Sequence, residues 1–418
     1  MPRSSQGPSP RAQPGGQQPM SSPGPAVQAP LHVRGPALLL LAGLGTAAPP
    51  VIATSAEDNA HALELAYTLD AWSLDGDGNR GTRYLTQVGL AAEFDLERLF
   101  DLPRTSARLH LIHNNGNSAS ELAGDAQGIS NIETGGRALL PLEAWVEYRG
   151  DGDRWSLRAG LYDINSEFDA LDGSALFLHS AHGIGTDIAQ SGRNGPSIFP
   201  HTSPGLRLSF ALTDQATLRT AVLDGVPNDP DRPDHSTLRI GGSDGAFGIT
   251  ELDLQRGQQR LLLGAWGYSR DQDDLAGDGA TGTSAGAYLR GEALLSGDEA
   301  RGLRGFFRVG GASARTNPFD RFYSVGLHWV GPFAGRQADE AGIAIAHAVA
   351  GRNQLDVLAQ DGIAAARAET ALELTYRFAL TDRLALQPDL QYVFNPGLDR
   401  SRDDALAIGL RLVASLAH

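Results

Sequence analysis

The chain reads as an all-β protein, a transmembrane antiparallel β-barrel of the outer membrane with about sixteen strands and a polar lumen. Three observations predict this. Apolar residues recur at every second position from Leu63 to the C-terminus. No apolar run reaches the ~18 residues of a membrane helix; the longest, Pro36 to Val51, is interrupted by prolines and glycines. Connections alternate between tight turns and long Asp/Gly/Pro-rich loops.

The first element is a leader. Residues 1–30 are rich in Pro, Ser, Gly and Gln, and cannot bury enough apolar surface to offset their ordering. His32 and Arg34 then precede an apolar block from Ala37 to Ala48 and small residues ending in Thr54-Ser55-Ala56. That order is a secretory signal peptide cleaved near Ala56, so residues 1–56 are assigned to a disordered extension plus signal and 57–418 to the barrel. Met20 offers a second start within the extension.

The strands follow. Leu65, Tyr67 and Leu69 alternate with Glu64, Ala66, Thr68 and Asp70; Leu206, Leu208, Phe210 and Leu212 alternate with Arg207, Ser209 and Ala211. Leu372, Leu374, Tyr376 and Phe378 face away from Glu373, Thr375 and Arg377, and Leu406 to Leu416 repeat the pattern. Side chains alternate across a strand, so each segment has one greasy and one polar or small face. A soluble sandwich would turn the greasy faces inward, a membrane barrel outward. Aromatics at strand ends (Phe94, Tyr148, Trp155, Tyr323, Trp329, Phe333 and Tyr392 among them) favour the barrel, since girdles lie there. So do the connections: Thr381-Asp382 is short, whereas Gly225 to Gly245 and Ser269 to Ala285 are long. At roughly 22 residues per strand and connection, the mature chain makes about sixteen strands, enough to enclose water.

Composition narrows the function. Of 418 residues, 34 are basic and 49 acidic, a net charge of −15, and every basic residue is arginine. Nucleic-acid binding relies on many basic contacts to phosphate and is disfavoured. Without cysteine there are no thiol nucleophiles, disulfides or Cys-based metal sites. An exported, cysteine-free barrel points to a Gram-negative outer membrane.

Longer stretches carry a resemblance. Leu161-Tyr162-Asp163-Ile164-Asn165-Ser166-Glu167-Phe168 and Ser191-Gly192-Arg193-Asn194-Gly195-Pro196-Ser197-Ile198-Phe199-Pro200 resemble signature stretches of the carbohydrate-selective porin (OprB) family. Ala221 to Gly225, Asn228-Asp229-Pro230, Gly326 to Arg336, Glu373 to Tyr376, Gln387 to Tyr392 and Asn395-Pro396-Gly397 follow in order. The resemblance spans about residues 63–413 and implies passive, cofactor-free uptake of glucose-like sugars. It further implies contact with outer-membrane lipid and lipopolysaccharide and handling by the barrel-insertion machinery. A monomer and a homotrimer are both open. The chain departs from barrels of this kind in ending Ser415-Leu416-Ala417-His418 rather than in an aromatic residue.

A sugar-selective path needs paired donors and acceptors beside aromatic faces. The polar faces offer Glu143, Trp145 and Glu147, then Arg158, and later Glu373 with Arg377. The long, Gly-rich stretch Asp163 to Pro200 adds Glu167, Asp169, Arg193 and Asn194, and is expected to fold partly into the lumen as a constriction. The resemblance reaches Arg193 and Asn194 directly. The plainer account is that these charges only hydrate the lumen or pair across strands, leaving a general porin selective by size and charge.

Other motifs weigh less. Gly241-Gly242-Ser243-Asp244-Gly245 spells a hydrolase elbow without the helix it requires, and reads as a hairpin turn. Asp75, Asp77 and Asn79 begin like a calcium loop, but Gly81 comes one position late. Asp229, Asp231 and Asp234 read as a solvated acidic loop, and His179, His182 and His201 share no periodicity that would join them at a metal. An enzyme built on such a barrel would need Ser and His together on its rim, which the sequence does not display. No enzymatic activity, cofactor or metal is expected.

Overall fold

The structure is a computed structural model that describes residues 60–76, 79–134, 137–230, 245–277 and 279–417. The expected leader, the hydrolase-like glycines before Gly245, and Asp231 and Asp234 lie outside these residues. Sixteen antiparallel strands close into one barrel: β1 His61–Gly76, β2 Asn79–Asp95, β3 Thr105–Gly116, β4 Ala138–Arg149, β5 Trp155–Tyr162, β6 Ser203–Thr213, β7 Ala216–Asp224 and β8 Ala246–Arg256. They continue with β9 Gln259–Tyr268, β10 Ala285–Gly297, β11 Gly302–Ala312, β12 Phe319–Val330, β13 Glu340–Ala350, β14 Ala368–Thr381, β15 Leu384–Phe394 and β16 Ala405–Ala417. Closure pairs β1 with β16, setting Leu65 opposite Leu416 and Asp70 opposite Arg411. Closing the sheet removes the unpaired strand edges that neither lipid nor water-filled lumen would protect.

The alternation sorts the side chains inside out. Val325, Leu206 and Leu374 stand more than half exposed on the outer wall, whereas Arg290, Arg308 and Arg411 are 2% exposed or less within. Outward aromatics mark two belts. At the end with short turns, Tyr148 packs on Trp155 with ring centroids 5.6 Å apart, and Tyr376 sits between Phe333 and Phe378 at 6.1 and 4.4 Å. At the other end, Tyr392 packs against Phe394 at 4.8 Å. Short turns such as 214–215, 257–258 and 382–383 gather at the first end. The long connections 117–137, 163–202 and 351–367 gather at the second, the last of them carrying the helix Arg352–Gln360.

Two of these long connections turn inward and give the lumen a core of its own. Ile164, Phe168, Ile184 and Ile188 of the 163–202 loop pack on inward Trp145, Leu223, Phe247, Ile249, Trp266 and Tyr288. Further along, Leu171, Leu176 and Phe177 pack on Leu262, Phe306 and Ala344. The 117–137 loop buries Ala119, Ala123, Ile129 and Ile132 against Trp72, Leu74, Leu85 and Val393. Each apolar loop side chain has a matching apolar patch on the inner wall, so burial holds both loops inside the barrel.

A charge on the outer wall must meet lipid. Val325, near the middle of β12 and between the outward aromatics Tyr323 and Trp329, is therefore expected to lose about 2–4 kcal/mol of stability as Val325→Arg. A urea titration in detergent or lipid, followed by the shift in gel mobility on unfolding, measures it. An unchanged midpoint would place that wall elsewhere than against lipid.

Candidate functional site in the lumen

The inner wall carries two pairs of arginines that face each other across neighbouring strands. Arg158 on β5 lies opposite Arg207 on β6, and Arg290 on β10 lies opposite Arg308 on β11. Like charges directly opposite one another in a sheet repel, so each pair requires carboxylates between its members. The 163–202 loop and strand β4 supply them. At the first pair, Glu147 of β4 accepts from Arg158 at 2.9 Å and from Arg207 at 2.7 Å. Glu167 of the loop accepts from Arg207 at 3.0 Å, lies 3.3 Å from Arg158, and accepts from the Tyr162 hydroxyl at 2.6 Å. At the second pair, Asp169 accepts from Arg308 at 2.9 Å through both oxygens and from Arg290 at 3.1 Å. Asp187 accepts from Arg308 at 2.6 Å.

Two loop carboxylates, two residues apart, thus tie one segment to two separate stretches of wall. Backbone contacts extend the seam. Glu251 accepts from the Asp169 amide at 2.9 Å, Glu292 from the Gly173 amide at 2.7 Å, and Glu373 from the Leu178 and His179 amides at 2.6 and 3.1 Å. Gln387 donates to the Leu176 carbonyl at 2.8 Å. The 117–137 loop is held on the opposite side, where the Ser130 hydroxyl donates at 2.7 Å to Asp70, itself clamped by Arg411 at 2.6 and 2.7 Å. The Asn131 amide joins the two loops through the Leu178 carbonyl at 2.8 Å.

The residues singled out from the sequence fall into four places. Trp145, Glu147, Arg158 and Glu167 come together, with the Arg158 guanidinium 3.8 Å from the Trp145 ring centroid. Glu143 adjoins them, accepting from Trp145 at 3.3 Å and from Arg108 at 2.8 Å, and Arg108 reaches on to Glu93. Asp169 sits on the far wall with Arg290 and Arg308. Glu373 anchors loop backbone, and Arg377 donates to Glu340 at 2.9 Å. Arg193 and Asn194 lie away from this cluster on the returning limb of the loop, where Asn194 donates to the Pro227 carbonyl at 2.6 Å. His179 and His182 do approach, with ring centroids 5.8 Å apart, but pack among Phe177 and Phe306. Among the described residues no group of three metal-ligating side chains converges.

Sequence reasoning missed Arg207, Arg290 and Arg308 as site residues. Arg207 lies on the polar face of an alternating segment, so its inward direction was readable although its partners were not. On β10 the positions that share a face with Leu289 are Gly291 and Ala293, too small to register as a greasy face, and Arg290 therefore stands in a weak pattern. Arg304, Phe306 and Arg308 keep a period of two, which is the signal that could have found the last.

The loop's own charges answer to this setting. Burial opposes ionisation of Glu167, but Arg158 and Arg207 outweigh it and hold the carboxyl down at about 2. Asp163, at the loop's start, lacks such a partner; burial, reinforced by Glu143, pushes it up to about 7. A raised carboxyl is favoured in its protonated form by the folded state, so stability falls as pH rises from the unfolded value, about 4, to about 7. Asp163→Asn is expected to melt with the wild type near pH 4 and above it near pH 8. Parallel melting curves across that range would refute the assignment. Asp169→Asn, by contrast, leaves Arg290 and Arg308 facing each other with one carboxylate fewer, a loss of about 3–5 kcal/mol. The loop should loosen, lowering the melting temperature and raising ion conductance; a variant that changes neither would show that the apolar contacts alone hold it.

Comparison with known proteins agrees with this architecture. The family model for the carbohydrate-selective porin, OprB family, matches residues 79–416. Porin B of Pseudomonas aeruginosa is 23% identical over 389 residues, covering 82% of this chain and 84% of that protein. The high-pH structure of Pseudomonas putida OprB superposes with a TM-score of 0.74 at 20% identity, covering 85% of this chain and 94% of that one. An anion-selective porin from Comamonas acidovorans gives a TM-score of 0.52 at 14% identity, with 85% and 98% covered. With a closed sixteen-stranded barrel, a lumen narrowed by an inward loop and a family match over most of its length, the chain belongs to the carbohydrate-selective porin family.

Proposed function

We propose that the protein is a passive channel for mono- and oligosaccharides in the outer membrane of a Gram-negative bacterium. The long loops face outward, the short turns face the periplasm, and lipid and lipopolysaccharide cover the apolar wall. The cluster of Trp145, Glu147, Arg158, Glu167 and Arg207 recognises the sugar. The observation that carries this reading is mutual neutralisation: each of the two arginines there already contacts a carboxylate, so the cluster carries little net charge, with Glu167 its most exposed carboxylate. An ion would have to compete with a formed pair. A sugar hydroxyl donates and accepts at once, and bridges guanidinium and carboxylate without separating them.

Such binding is weak, as conduction demands. Millimolar affinity is about −4 kcal/mol, within reach of two or three polar contacts made at the expense of water. No covalent step or cofactor enters. The reading predicts that glucose blocks single-channel current saturably at millimolar concentration, and that an amino acid of similar size does not. Arg158→Gln leaves Glu147 with Arg207 and should raise the half-blocking glucose concentration about tenfold, with ion conductance largely kept. Block that follows solute size alone, in wild type and variant alike, would make the protein a general porin.

A further inference from the structure

At the loop end, above the cluster just described, the 117–137 loop and the returning limb of the 163–202 loop enclose a hollow of about 930 Å³. Its position follows from the strands that border it. Gly116 ends β3 at the loop side, and Arg83 lies near the corresponding end of β2, whereas Glu147 lies near the turn end of β4. A solute arriving from the loop side therefore meets the hollow before the arginine cluster.

The lining differs in kind from the lumen below it. Asn117, Gln190 and Asn194 present amides on one side beside the charged Arg83 and Glu121, and Phe199 with Pro200 forms an apolar side. Phe199 packs against Ile112, Leu140 and Leu142 as well as lining the hollow, so its ring is held in place. Glu133 lies at the edge, but its carboxylate is engaged by Ser118 and by the Ala119 and Ser120 amides. Both limbs are fastened before any solute arrives: Gln190 donates to the Ala126 carbonyl and Asn194 to the Pro227 carbonyl.

We propose that this hollow is a separate capture site for neutral oligosaccharides of two or three pyranose rings. The inference rests on the sugar-channel reading and extends it to a second site. Amides and a guanidinium match the hydroxyl rim of a pyranose, and an apolar ring face matches Phe199. Pockets for drug-sized ligands occupy ~300–1,000 Å³, so this volume exceeds what one hexose fills. Because the hollow opens at the loop end, capture favours longer sugars on that side alone.

The test uses the full channel in a planar bilayer, with glucose and maltotriose added to one face at a time. Maltotriose is expected to block at lower concentration than glucose, and from the loop face only. Phe199→Ala should raise the half-blocking maltotriose concentration about three- to tenfold and leave glucose block unchanged. Phe199→Tyr should restore it, which separates loss of the ring from loss of packing; unchanged glucose block in Phe199→Ala reports an intact channel. Equal shifts for both sugars, or no shift in either, would overturn the capture site. Absence of glucose block in the wild type would instead overturn the channel reading beneath it.

Discussion

Everything inside this barrel depends on placing like charges face to face and then making them tolerable. Arg158 and Arg207 oppose each other in the ladder, as do Arg290 and Arg308. An arginine pair buried in a protein wall is costly until carboxylates and hydrogen bonds complete it. Glu167 and Asp169 complete both, and because they stand two residues apart on one loop, they bring that loop into the lumen with them. The constriction is thus where the wall's electrostatics are settled, and its position follows from the wall rather than from the loop's own preferences.

The absence of lysine bears on how this is done. Arg207 touches Glu147 and Glu167, Arg308 touches Asp169 and Asp187, and Arg108 touches Glu93 and Glu143. A guanidinium presents five donors in a rigid plane and can serve two carboxylates from fixed directions, whereas an ammonium is a compact charge on a flexible stem. Bridging of this kind ties neighbouring strands to each other and to the loop in one network. Apolar contacts then do what charges cannot: Phe168, Ile184 and Ile188 seal the loop against Phe247, Ile249 and Trp266, keeping water from the backs of the ion pairs.

Much of this was legible from residue order alone. Period-two alternation assigned Leu206 and Leu374 to the outer face and Arg207 and Glu373 to the inner, and the aromatics fell on the outer belts. The length and glycine content of Asp163 to Pro200 marked the inward loop. Partnership was not legible. Whether Glu147 meets Arg158 alone or Arg207 too depends on the registers of β4, β5 and β6, which no local pattern reveals. Asp169 finds arginines 121 and 139 residues away because closure and loop path bring β10 and β11 to it. The apolar inner faces of β8 and β9 were a further sign of an occupied lumen: Phe247, Ile249, Leu262 and Trp266 break the polar-inside rule where the loop packs.

Pairing also separates two properties often treated together, the charge of the chain and the charge its lumen presents. The chain carries a formal −15, yet Glu147, Glu167, Asp169 and Asp187 at the constriction are taken up by arginines. Donors and acceptors alternate there at close range, and their fields cancel over a few ångströms. On the proposed reading, a neutral molecule with both functions at every edge profits, since it can bind without disturbing a pair. Selectivity of this sort comes from what the solute need not break, and so it requires the loop to be held firmly enough that the pairs do not reorganise around an ion instead.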